Sequence, residues 1–219
     1  MSGLQPRNDI EQLYNMHGMP PAARKLPRDF YARDTLKVAR ELLGMHLVHV
    51  GPAGRQVGRI VETEAYQGPL DLAAHSSRGR TARTDVMFGP PGHAYVYLIY
   101  GFWNCLNVVA AAEGTPHAIL LRALEPVEGT TGTTHGPGLL CRALHIDRSL
   151  NRTDLLGRTL WIERPADYRM PRVSRSPRIG VNYAGAWARK PWRFFDRDSP
   201  YVSTVTAAAR RKALARAAP

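Results

Sequence analysis

The chain has 219 residues, 44% of them hydrophobic, which suffices for one sizeable core and a single compact domain. Its formal net charge of +12 points to a polyanionic partner, nucleic acid or an anionic membrane surface. No stretch approaches the roughly 20 uninterrupted apolar residues of a spanning helix, and Met1 to Arg24 lacks the apolar run of a secretory signal, so an intracellular, cytoplasmic protein without a membrane partner is expected.

Only Lys25, Lys37, Lys190 and Lys212 among the 30 basic residues are lysines. The planar guanidinium of the rest suits bidentate phosphate contacts, although an arginine excess also follows from genome base composition. Cys105 and Cys141 are too few for a disulfide framework and are not spaced as metal ligands, so both read as buried thiols.

Residues 1–24 are polar and aperiodic and read as a mobile N-terminal arm, with ordered structure beginning around Leu26. Asp34 is placed to cap a helix with Leu36, Ala39, Leu42 and Leu43 on its apolar stripe, and Gly44 stops it. The strand MHLVHV, the turn Gly51-Pro52-Ala53-Gly54 and a strand around GRIVETEAY make a hairpin. Alternation in the second strand sets Glu62, Glu64 and Tyr66 on one face and Val61, Thr63 and Ala65 on the other.

Leu70 to Gly92 reads as a long polar loop of the kind that carries function on a rigid scaffold. A second hairpin follows, AYVYLIYG and NCLNVVA, with Gly101-Phe102-Trp103 near the reversal. HAILLRALEP is a further strand, LLCRALHI a short helix, and TLWIE and the region around RIGVNYAG read as strand pieces. The basic tail, residues 205–219, has helix-forming composition without an apolar face, which fits a frayed or DNA-ordered segment as well as a packed helix.

Glu64, a carboxylate on a strand with apolar neighbours and an aromatic on its own face, is the first candidate for a general base. On spacing alone, a strand carboxylate paired to one of the many arginines is the simpler reading. His75 is a candidate ligand contact, with a satisfied structural histidine as the simpler alternative. The eight histidines form no HExxH pattern and no CxxC is present, so metal catalysis has little support. Tyr95, Tyr97, Tyr100, Phe102 and Trp103 crowd rings at or near a hairpin tip, where a ring can pack in the core, stack on a base or wedge between bases.

These segments together resemble the alkyladenine (3-methyladenine) DNA glycosylase family. The blocks that carry the likeness are GRIVETEAYQGPLDLAAHSSRGRT, MFGPPGHAYVYLIYGFWNCLN, AILLRALEP, GPGLLCRALHI, and RIGVNYAGAWARKPWRF through SPYVS, in consistent order over most of Leu26 to Ser203. Gln67 and the Phe102-Trp103 pair depart from the pattern, and the loop after Glu128 is short beside some relatives. Those departures bear on substrate breadth and DNA contact rather than on reaction class.

The resemblance implies a single-domain mixed α+β fold over residues 25–204, with a curved antiparallel β-sheet, flanking helices and a protruding DNA-inserting β-hairpin. It implies excision of alkylated or deaminated purines from double-stranded DNA, by a monomer that needs neither metal nor organic cofactor. By the matching blocks, Glu64 corresponds to the general base, and Arg122 with the backbone around Val181 to groups that hold the attacking water. Tyr66, His75 and Tyr97 correspond to residues that sandwich and hydrogen-bond a flipped base, Asn107 to the pocket wall, and Tyr100 to the wedge. Arg78, Arg80 and Arg83 of RGRTAR, with Arg189 and Lys190 of WARKPWR, are expected at phosphates. No lysine lies in an active-site block, which disfavours a Schiff-base lyase step and leaves water as nucleophile. Two rivals remain at this stage: a non-enzymatic nucleic-acid-binding module with the same fold, and hydrolysis of a free nucleoside.

Overall fold

The structure, a computed structural model, describes residues 22–217. The expected N-terminal arm lies outside the described residues except for its last three, and of these Arg24 already belongs to a strand. Among the described residues nine strands form one antiparallel sheet: β1 (Arg24–Lys25), β2 (His46–Gly51), β3 (Gly54–Gln67), β4 (Ala94–Ile99), β5 (Trp103–Ala110), β6 (His117–Glu128), β7 (Leu160–Arg164), β8 (Val173–Ser176) and β9 (Arg193–Asp196). Their order is β1-β7-β2-β3-β6-β5-β4, with β9 joined to β3 and β8 joined to β9. The helices are α1 (Arg28–Tyr31), α2 (Thr35–Glu41), α3 (Pro137–Ala143) and α4 (Ala207–Ala217). This is the expected single-domain α+β class.

β3 organises the sheet because it is long enough to change partners. Residues 54–59 pair with β2 across the two-residue Pro52-Ala53 turn, while Glu62–Glu64 pair with β9. Between these stretches the register with β6 shifts at Ile60/Glu62 and again at Glu62/Thr63. Bulges of this kind bend a strand and re-aim its side chains, and here they lie beside Glu62 and Glu64.

The two-residue period then sorts the sheet into two faces. Ala65, Val96, Leu106, Val108, Ile119 and Leu121 face α2 and α3 and pack with Val38, Leu42, Leu43, Leu140 and Leu144 in the main core. Asp34 caps α2 by accepting the Lys37 amide at 2.9 Å. Gly44 ends that segment at φ +84°, a left-handed turn that a side chain would adopt only with strain.

One sequence expectation changes. The RIGVNYAG region is not a strand: Gly180 lies at φ +77°, and Asn182–Arg189 forms a 3₁₀ segment broken at Gly185 (φ 57°). Pro177 starts this departure and the two glycines turn the backbone away from extension, so the strands are its flanks, β8 and β9. The basic tail is helical in α4, and Arg210 ties it down by donating to the carbonyls of Pro200 and Val205 at 2.9 and 2.8 Å. The Leu70–Gly92 loop contains two short 3₁₀ turns, His75–Arg78 and Asp85–Phe88. Both cysteines are buried and free, as expected.

Candidate active site

The chemistry-bearing side chains lie on the sheet face opposite the main core. Register aligns Glu64 with Leu120, Leu120 with Asn107, and Asn107 with Tyr95, so β3, β6, β5 and β4 each contribute one residue to a single row. Neighbouring strands lie ~4.8 Å apart, so the four-residue row is about 14 Å long. Two places along β3 is Tyr66, two along β6 is Arg122, and two along β4 is Tyr97. The loop turn at His75 and the segment around Val181 cover this face, where Val181 packs with Ala73, Ala184 and Tyr66.

Glu64 is fully buried. Its Oε2 accepts the Tyr66 hydroxyl at 2.7 Å and its Oε1 accepts the Ile179 amide at 2.8 Å, while Arg122 Nη1 lies 3.4 Å from Oε1. Burial drives the Glu64 pKa above its ordinary value. The Arg122 charge and the Ile179 and Tyr66 hydrogen bonds oppose that rise, and the nearby Glu62 charge adds to it. Burial, and then the Glu64 charge, push the Tyr66 phenol well above its usual range, so it donates rather than ionises. Arg122 is itself held by Glu62, whose Oε1 accepts Arg122 Nε at 3.1 Å and Arg193 Nη1 at 2.6 Å. Ser203 adds two more donors to the Glu62 carboxylate, its amide at 2.7 Å and its hydroxyl at 2.9 Å.

The aromatic wall is equally ordered. The ring of His75 lies edge-on to Tyr97 with centroids 4.6 Å apart, and its Nδ1 is 2.9 Å from the Tyr95 hydroxyl. Burial, helped by Arg83 and Arg78, lowers the His75 pKa to about 4, so the ring is neutral at physiological pH and carries one donor and one acceptor. Tyr95 is core, and Asn107 is buried with its amide donating to the Tyr95 carbonyl at 3.1 Å. At the β4–β5 reversal Tyr100 and Gly101 lie at φ 53° and 77°, the paired left-handed positions of a tight hairpin turn. That turn leaves Tyr100 80% exposed, with Phe102 beside it at 67%.

The structure therefore brings Glu64, Tyr66, Arg122 and the Val181 segment into one cluster, and His75, Tyr97 and Asn107 onto the same sheet face. The Val181 carbonyl accepts the Ala184 amide at 2.9 Å, and the backbone donor to Glu64 is Ile179, two residues earlier. Arg78, Arg80, Arg83, Arg189 and Lys190 are all exposed. Arg80 is paired with Asp85 at 2.7 Å, and the Arg83 guanidinium lies 4.9 Å from the centre of the Tyr97 ring.

Sequence reasoning missed the Ile179 amide, the Ser203 latch on Glu62 and a buried Asp71–Arg178 pair. Only Glu62 carried a local signal, its shared face with Glu64. Among the described residues no group of three His, Cys, Asp or Glu side chains is placed to hold a metal ion, and no helix is long and apolar enough to cross a membrane.

The methylpurine-DNA glycosylase (MPG) family pattern matches residues 29–200. Among curated proteins, one from Legionella pneumophila (strain Corby) named "Putative 3-methyladenine DNA glycosylase" is 53% identical over 180 residues, 82% of this chain and 98% of that protein. Proteins of the same name from Anaeromyxobacter dehalogenans (strain 2CP-1) and Methanocella arvoryzae are 56% and 52% identical, covering 82% and 81% of this chain and 85% and 95% of their own lengths.

Proposed function

The chain belongs to the methylpurine-DNA glycosylase family, and we propose that it releases damaged purines from duplex DNA by hydrolysing the bond to deoxyribose, with Glu64 activating the water. The observation that carries this reading is a carboxylate with no solvent exposure whose ionised form is nevertheless met by three donors, Tyr66, Ile179 and Arg122. A carboxylate moved toward neutral pH is a stronger base than an ordinary one.

In the proposed step Glu64 takes a proton from water as the oxygen attacks the sugar C1′. The glycosidic bond breaks and its electron pair leaves with the purine. The sugar gains positive charge as the base departs, and the Glu64 carboxylate offsets it in a site of low dielectric. A cationic alkylated purine leaves as a neutral base, whereas hypoxanthine needs a proton from a pocket donor or water. Tyr66, His75 and Tyr97 enclose the extruded base, Asn107 limits its substituents, and Tyr100 at the exposed turn fills the space left in the stack. The net charge of +12 and the exposed turn favour a duplex over a free nucleoside.

The test is a panel of duplexes carrying 3-methyladenine, 7-methylguanine, hypoxanthine or ethenoadenine, scored for free base and for strand breaks before and after alkali. Free base with strands intact until alkali is the expected result. No base release from any duplex would leave the binding-module and free-nucleoside readings, and strand breaks without alkali would require a lyase step.

A further inference from the structure

Glu64 has three partners, and they are held in place by two separate devices. Glu62 orients Arg122. The other two donors, the Tyr66 hydroxyl and the Ile179 amide, both depend on Arg178. We propose that the buried Asp71–Arg178 pair is a positioning unit that holds Tyr66 and Ile179 against the Glu64 carboxylate; it deepens the glycosylase reading and rests on Glu64 being the base.

Both side chains of the pair have no solvent exposure. Arg178 Nη1 donates to Asp71 Oδ2 at 2.5 Å and to the Ala65 carbonyl at 2.9 Å, and Nη2 donates to Asp71 Oδ1 at 2.9 Å and to the Trp187 carbonyl at 3.1 Å. Asp71 in turn accepts the Gln67 and Ala73 amides, each at 3.1 Å. The fork therefore binds together the end of β3, the loop that follows it and the 3₁₀ segment. Its guanidinium carbon lies 4.7 Å from the centre of the Tyr66 ring and 5.1 Å from that of Trp192. The one nitrogen without a hydrogen-bond acceptor is the buried Nε. Ile179 is the next residue in the chain, so fixing the Arg178 head between Ala65, Asp71 and Trp187 also fixes the peptide that points at Glu64.

A buried ion pair is a poor source of net stability but a good fixer of geometry when bidentate. Neither residue touches the reacting atoms in this reading. Their effect passes through two donors that favour the ionised carboxylate, and weakening them makes Glu64 harder to ionise.

The experiment measures single-turnover release of hypoxanthine from a duplex between about pH 4.5 and 9, with binding to the same duplex titrated in parallel. The proteins are the wild type, Glu64→Gln, Arg178→Lys, and the double variant Asp71→Leu/Arg178→Met, which replaces the charged pair by apolar side chains and guards against an unpaired buried charge. The groups facing Glu64, namely Glu62 and Tyr66 on β3, Arg122 on β6 and, through Glu62, Arg193 on β9, are untouched in the Arg178 variants. A rate loss of roughly tenfold to a hundredfold is expected, with the acidic limb moved to higher pH by on the order of one unit and duplex affinity kept. A folded double variant whose acidic limb coincides with that of the wild type would overturn the positioning role, because a merely structural pair lowers the active fraction without moving the limb. If the wild type has no acidic limb, or Glu64→Gln keeps one, Glu64 is not the base, and the proposal falls with the reading beneath it.

Discussion

Replacing Glu64 by glutamine separates charge from shape at the centre of the site. The amide oxygen can keep the Ile179 hydrogen bond at 2.8 Å, and the amide nitrogen, standing where Oε2 was, can donate to the Tyr66 oxygen at 2.7 Å. Arg122 loses a carboxylate at 3.4 Å but keeps Glu62 at 3.1 Å. What disappears is the negative charge and the basic oxygen. Loss of a general base costs about 10²–10⁴ in rate, and loss of charge stabilisation at the sugar about 10² more. A combined loss of about 10⁵ corresponds to roughly 7 kcal/mol of transition-state stabilisation.

Stability moves the other way. The folded pKa of Glu64 is raised, mainly by burial, so the ionised carboxylate costs more in the folded chain than in the unfolded one, and that cost grows as pH rises through the unfolded value. The glutamine variant is expected to melt at or above the wild-type temperature at pH 7; a gain of about 1 kcal/mol would read as about 2–4 °C. Binding to a lesion duplex persists or tightens, since removing one negative charge lowers the repulsion between the site and the phosphates. Single-turnover base release, an equilibrium titration and a melting curve on one preparation decide the matter. Near wild-type excision, or a melting temperature that collapses together with excision, would make Glu64 a structural carboxylate and refute the mechanism.

Three further outcomes are expected. His75, with a folded pKa of about 4 against an ordinary 6.5, contributes stability that is fully present above the higher value and is lost as pH falls toward the lower one. The loss is about 3 kcal/mol at most, and denaturant titrations at pH 7 and pH 4.5 should show a smaller pH dependence in His75→Gln. Tyr100→Ser removes the exposed ring without touching the Glu64 cluster, so retention of the extruded base should weaken more than single-turnover chemistry; equal losses on intact and lesion duplexes would count against a wedge. Duplex binding should fall steeply with salt, with a log–log slope of about −0.9 per phosphate contacted, and a flat profile would remove DNA as the partner.

Much of the scaffold was legible because strand alternation is a local property. The Gly51-Pro52-Ala53-Gly54 turn, the 94–110 hairpin, the strand at 117–128 and the Asp34 cap all follow from residues within a few positions of one another. The segment from Pro177 to Lys190 misleads for the same reason. Ile179, Val181 and Tyr183 alternate as a strand would, but Gly180 and Gly185 take left-handed φ and fold the chain across the sheet. Alternation tells which side chains share a face and is silent on what covers that face. Alternation therefore groups Glu62, Glu64 and Tyr66, while the complete burial of Glu64 beneath that segment has no local signature. The Asp71–Arg178 pair, 107 residues apart in sequence, has no local signature at all.

The same sheet face carries two carboxylates and two arginines, and their unequal geometry supports Glu64 rather than Glu62 as the proposed base. Glu62 takes the closer contact with Arg122, at 3.1 Å, the whole of the Arg193 contact at 2.6 Å, and both donors of Ser203. Glu64 is left with the longer Arg122 contact at 3.4 Å and with two neutral donors. Four donors from Arg122, Arg193 and Ser203 occupy the Glu62 oxygens, whereas burial raises the proton affinity of Glu64, which general-base catalysis needs. In the proposed mechanism Glu62 acts without touching the substrate, by holding Arg122 toward itself. Moving that guanidinium fully onto Glu64 would strengthen an ion pair and weaken the base.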